Sequence, residues 1–101
     1  MKPIFFALLV SMMAALPAKA DQALATTKNC MACHAAQKKL VGPAYKDVAA
    51  KYKDDAGAVD RLATKIIKGG SGAWGPVPMP ANAQVNEADA KKLAAWILDF
   101  K

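Results

Sequence analysis

The chain has 101 residues, with 14 Lys and Arg against 8 Asp and Glu, two Cys, one His and a formal net charge of +6 at pH 7. A chain this short makes one small domain, and such domains usually need a staple besides their apolar core. Two cysteines exclude a multi-bridge disulfide framework, and two Cys with one His fall short of the four N or S ligands of a structural zinc site.

Residues 1–20 read as a leader rather than as part of the fold. A basic start at Met1-Lys2 precedes the uncharged apolar run Ile4 to Leu16, and Ala18 and Ala20 put small residues where a signal peptidase reads. Thirteen residues is short for a bilayer crossing, and the run ends at Pro17, which disfavours an uncleaved anchor. Cleavage is expected between Ala20 and Asp21, leaving a domain over 21–101 with no stable membrane insertion. Loss of Lys2 and Lys19 leaves 12 basic against 8 acidic residues, a formal net charge of +4. Export argues against a nucleic-acid partner despite the basic balance.

Apolar residues recur at helical spacing through 21–101, with no β-type alternation, so the domain reads as all-α with loops. The first helix is expected over about Gln22 to Asn29, carrying Leu24, and runs directly into Cys30-Met31-Ala32-Cys33-His34. This is C-x-x-C-H, the attachment signature of a c-type haem. On one turn of backbone the two sulfurs match the spacing of the porphyrin vinyl groups, and the next residue offers an imidazole to the iron. A thioredoxin-like C-x-x-C would need a strand before it and a βαβ context. A disulfide between cysteines three apart closes too small a loop to stabilise much. Haem attachment is the favoured reading.

Gly42-Pro43 breaks the chain and is expected to open a short second helix with Pro43 near its first position, burying Tyr45, Val48, Ala49 and Tyr52. Asp54-Asp55-Ala56-Gly57 is a turn in which one aspartate is expected to cap a third helix. That helix would bury Val59, Leu62, Ala63 and Ile66 and stop at Gly69-Gly70. The segment Gly69 to Asn82 holds four Gly and three Pro, a composition expected to exclude regular structure. A loop this long in a small domain is usually functional. Asn86, with Asp89 three further on, resembles a capping box, and Leu93, Trp96, Ile97 and Phe100 share one face of a last helix, with Trp96 read as core.

A second donor to the iron can be sought by elimination. Met1, Met12 and Met13 leave with the leader, and Met31 lies between the cysteines, where the local turn keeps it from the far face. Met79 remains, held between Pro78 and Pro80, whose fixed φ and missing N–H groups make a stiff presenting turn. The competing reading of Met79 is a flexible core filler.

With these residues in view, the mature chain resembles a small bacterial monohaem class I cytochrome c over essentially all of 21–101. The likeness rests on the haem pentapeptide, Gly42-Pro43-Ala44-Tyr45, the Gly69 to Gly75 loop, Pro78-Met79-Pro80 and a C-terminal helix bearing Trp96. It implies about four helices wrapped around one haem c bonded through Cys30 and Cys33, with His34 and Met79 as axial ligands. It also implies that the Pro43 carbonyl accepts the Nδ1 proton of His34, that Trp74 donates to a haem propionate, and that the Asn82 amide points at the Met79 sulfur. The function implied is one-electron transfer in the periplasm, without enzymatic activity. Partners would be respiratory redox proteins: an upstream cytochrome or quinol-oxidising complex and a downstream oxidase or nitrite reductase. They would dock on a lysine rim around an apolar patch near Ala32, Ala35, Val41 and Val77. The alternative is a five-coordinate haem c protein with ligand-binding or peroxidase activity, which requires Met79 not to bind.

Overall fold

The computed structural model describes residues 17–101, with side chains from Asp21 onward; the expected leader otherwise lies outside the described residues. Helix α1 spans Pro17–Thr27, a 3-10 turn follows at Cys30–Ala32, and α2 spans Tyr45–Tyr52. Helix α3 runs over Ala58–Lys68, strands β1 and β2 over Gly70–Gly72 and Gly75–Met79, and α4 over Glu87–Leu98. Helix α1 therefore begins earlier than the expected Gln22 and reaches back across the expected cleavage point.

Helix α4 is the hub, packing against α1, α2 and α3. Leu93 is its fully buried anchor, and small residues on the same helix, Ala90 and Ala94, together with Ala25 of α1, are fully buried as well. Burying a leucine removes enough apolar surface from water to contribute about 1.5–3 kcal/mol, and the alanines let the backbones approach. Trp96 and Ile97 continue this face, and Trp96 is buried as expected. Phe100, past the helix end, meets Trp96 edge-on at 5.0 Å and Tyr45 at 5.7 Å. This aromatic group ties α4 to α2.

Helix ends depart from expectation in two further places. Helix α2 starts at Tyr45 with Ala44 as its N-cap, so Pro43 lies just outside it. The N–H groups of Tyr45 and Lys46, which have no partner within the helix, donate to the carbonyls of Ala35 and Ala36 at 3.0 and 3.1 Å. Helix α3 is capped at Gly57 without a side-chain bond. Asp55 is instead committed to its own turn, accepting the Gly57 N–H at 3.0 Å and pairing with Arg61. At α4 the expected cap is present, Asn86 Oδ1 accepting the Asp89 N–H at 2.8 Å.

The segment 69–82 is not free of regular structure. β1 and β2 form a short antiparallel hairpin with Gly70 opposite Met79 and Gly72 opposite Gly75, broken by an irregularity between the pairs. Its glycines adopt positive φ, +104° at Gly72 and +108° at Gly75, which makes so tight a reversal possible. Pro76 and Pro78, which cannot donate to a ladder, fall between the paired positions of an exposed edge.

Candidate haem site

The Cys30 to His34 segment follows Asn29, which sits in the left-handed region at φ 65° and turns the chain out of α1. A 3-10 turn then sets the two cysteines, and the N–H groups of Cys33 and His34 both donate to the Cys30 carbonyl. The loop behind is knitted to this turn: the Gly42 N–H donates to the Cys33 carbonyl at 2.7 Å. The His34 ring lies directly on Gly42, where a Cβ would collide with it.

His34 is held on two further sides. Its Nδ1 lies 2.9 Å from the carbonyl oxygen of Pro43. Because a carbonyl only accepts, the proton belongs on Nδ1 and the lone pair on Nε2. Tyr45 stacks on the ring at 5.1 Å with 20° between planes. Burial pushes the Tyr45 phenol above its ordinary range. Burial likewise raises the Cys30 thiol, against a smaller lowering by its backbone hydrogen bond.

These residues border a cavity of about 270 Å³. Cys30, Cys33, His34, Pro43, Trp74 and Met79 all line it, with Val48, Ile66 and Ile97 supplying apolar wall. Met79 arrives at the end of β2. Close behind it the chain passes so near Gly69 that a Cβ there would strike the Met79 carbonyl, the Pro80 carbonyl carbon and the Ala81 nitrogen. Met31 does not line the cavity and packs against the core. Two free thiols, a tautomer-fixed imidazole and a thioether around one apolar cavity are a donor set that fits a haem bonded through Cys30 and Cys33.

Asn82 is placed differently from what the resemblance implied. It does not line the cavity, and its Nδ2 donates to the carbonyls of Ile66 at 2.8 Å and Pro80 at 3.4 Å rather than toward the Met79 sulfur. The cause is the end of α3, whose last carbonyls lack helical partners; the Asn82 amide and backbone N–H take those of Ile66 and Ile67. Trp74 is exposed at the cavity mouth, its ring lying 4.6 Å beneath Lys51 Nζ. Lys51 also donates to the Ala73 carbonyl at 2.9 Å, pinning the hairpin turn to α2. Sequence reading assigned Lys51 no such role, because a contact across 22 residues leaves no periodic trace. Lys65 and Asp47 also line the cavity.

A small helical shell around a cavity carrying Cys-x-x-Cys-His defines a c-type haem protein. The chain belongs to the cytochrome c family, whose model matches residues 18–101. It is 54% identical over 88 residues to cytochrome c-551 of Allochromatium vinosum, covering 87% of this chain and 94% of that relative. It is 56% identical over 84 residues to cytochrome c-552 of Nitrosomonas europaea, covering 83% and 82%. The crystal structure of wild-type Nitrosomonas europaea cytochrome c552 matches with a TM-score of 0.78 at 55% identity, covering 79% of this chain and 99% of that one. The chain is thus a small monohaem class I cytochrome carrying covalently bound haem c, with an electron-carrier role.

Proposed function

We propose that this chain is a periplasmic one-electron carrier with His34 and Met79 as axial ligands, shuttling between respiratory redox partners without catalysing a reaction of its own. The carrying observation is the His34 bond to Pro43, which leaves Nε2 as the ring's free donor, in a cavity that Met79 also lines. The bound haem supplies one-electron exchange between ferrous and ferric iron. The chain's contribution is to fill both axial directions, so that no substrate reaches the metal. A thioether ligand and an apolar wall favour the reduced form and raise the potential.

The residues outside the cavity support a carrier's brief encounters. Val41 and Val77 line the cavity and are 58% and 61% exposed, with Leu40 and Trp74 also exposed nearby in sequence. Lys38 and Lys39 immediately precede Leu40 and Val41 in sequence and are exposed. Such a rim suits acidic surfaces on an upstream cytochrome or quinol-oxidising complex and on a downstream oxidase or nitrite reductase. Among the described residues no helix is long and apolar enough to cross a membrane. The leader, cleaved after Ala20, would deliver the domain to the periplasm.

The test is the optical spectrum of the protein purified from the periplasm, oxidised and reduced. A thioether-to-ferric-iron band in the far red is expected, with no binding of CO to the reduced protein. Absence of that band together with rapid CO binding would overturn the axial assignment in favour of a five-coordinate, ligand-binding haem.

A further inference from the structure

Beyond Met79 the chain closes the gap between the C-terminal ends of two helices. Helix α3 offers the carbonyls of Ile66 and Ile67, which Asn82 takes with its backbone N–H at 3.3 and 3.1 Å and, at Ile66, with its side chain. The end of α1 offers the carbonyl of Lys28, two residues before Cys30. Gln84 Nε2 donates to that carbonyl at 3.1 Å and to Asn82 Oδ1 at 3.2 Å. In return, Lys28 Nζ donates to the Gln84 carbonyl at 3.1 Å. Lys28 and Gln84, 56 residues apart, thus hold one another reciprocally, each by side chain and by backbone. The Lys28 ammonium also sits where the negative end of α1 favours a cation.

We propose that Lys28 and Gln84 form a clasp that fastens the Met79 loop to the haem-attachment segment, making Gln84 a positioning residue that governs how often Met79 swings away. This rests on Met79 as the axial ligand. A loop leaves its seat by breaking the bonds that cross its boundary, and local opening is read directly in amide exchange. Gln84 connects three groups at that boundary: the Lys28 carbonyl, the Lys28 ammonium through its own carbonyl, and the Asn82 side chain. Removing its amide unties Asn82 Oδ1 as well as α1, whereas removing the Lys28 ammonium breaks one bond only.

The test uses the haem-loaded protein as wild type, Gln84→Ala, Lys28→Met and the double variant. Amide exchange is followed at Asn82 and Val85, whose N–H groups are bonded within the loop boundary, and at Leu93 and Ala94 in α4. Cyanide binding to the ferric protein is followed in parallel, since cyanide enters only when Met79 leaves. Gln84→Ala is expected to speed exchange at Asn82 and Val85 and the binding of cyanide by a common factor, about fivefold to tenfold. Leu93 and Ala94 should be unchanged. Lys28→Met should act in the same direction but more weakly, and the double variant should fall short of the product of the two. Unchanged exchange at Asn82 and Val85, or a rise shared equally by Leu93 and Ala94, overturns the clasp. A wild-type protein that lacks the thioether band and binds cyanide at once overturns the ligand assignment instead, while the exchange data still decide whether the clasp holds the loop.

Discussion

His34 and Pro43, nine residues apart, are joined by a hydrogen bond of 2.9 Å from the imidazole Nδ1 to the prolyl carbonyl oxygen. The bond uses the only polar group proline has on its backbone, and Pro43 stands outside α2, which leaves that carbonyl free of helical duties. Bonding through Nδ1 fixes both tautomer and ring orientation, and it makes the ring a stronger donor through Nε2. Pro43→Ala keeps the carbonyl but frees φ, chiefly enlarging the unfolded ensemble. The expected result is an unchanged haem spectrum with a stability loss of about 0.4–1 kcal/mol, measured by guanidinium unfolding of the holoprotein. A spectrum showing lost imidazole ligation would mean that the pyrrolidine ring, not the carbonyl, holds His34.

Met79→Ala tests the other side of the cavity. On the proposed ligation, removing the thioether takes away the donor that favours ferrous iron, so the potential should fall, measured by redox titration. The vacated position should admit CO and cyanide. Met79 lines the cavity and packs against the core, so its truncation is expected to cost the holoprotein about 2–5 kcal/mol, measured by guanidinium unfolding. A potential equal to that of the wild type would remove Met79 from the axial position.

Much of this architecture is written locally. Helix α4 announces itself through Asn86, Asp89 and the spacing of Leu93, Trp96 and Ile97, and α3 ends at Gly69, which adopts a φ of 70°. The Cys30 to His34 turn is legible because cofactor chemistry fixes its spacing. What sequence spacing does not carry is where a polar side chain finds a partner far along the chain. Asp55 chooses its own turn over capping α3. Asn82 is drawn from the methionine toward the unpaired carbonyls ending α3, and Lys51 toward the Ala73 carbonyl. The hairpin is hidden for a related reason: glycine and proline argue against a strand singly, yet here Gly72 and Gly75 flank the turn while Pro76 and Pro78 fall between the paired positions.

Leu93 is the test of the core. It is fully buried in the helix that touches α1, α2 and α3, so collapse around a truncated side chain would have to move several elements at once. Leu93→Ala is expected to destabilise the holoprotein by about 3–5 kcal/mol, whereas Leu93→Met, which nearly conserves volume, should cost less than about 1.5 kcal/mol. Chemical unfolding followed by circular dichroism measures both. Equal losses would mean that shape at this position matters more than volume.

Lys51 spans from α2 to the hairpin turn with one hydrogen bond and one cation–π contact, both exposed. Lys51→Met keeps most of the stem and removes the charge. The expected loss is about 0.5–1 kcal/mol, with the indole N–H resonance of Trp74 shifted and the buried Trp96 resonance unmoved. If both resonances move together, the substitution has disturbed the core rather than released the turn.

Steering by the proposed lysine rim makes a separate demand, since the formal net charge over 21–101 is only +4 and haem propionates would offset part of it. Only lysines near the cavity should matter at the short range left by screening, about 10 Å at 0.1 M salt. Lys39 lines the cavity; Lys92, exposed on α4, does not. The rate of electron exchange with an acidic partner is therefore expected to fall roughly tenfold between low and physiological salt. Lys39→Glu should lower the low-salt rate far more than Lys92→Glu, with the two variants converging as salt rises. Stopped-flow measurements across ionic strength decide it: equal effects at the two positions would assign the salt dependence to net charge, and a flat profile would leave the apolar patch to dock its partner unaided.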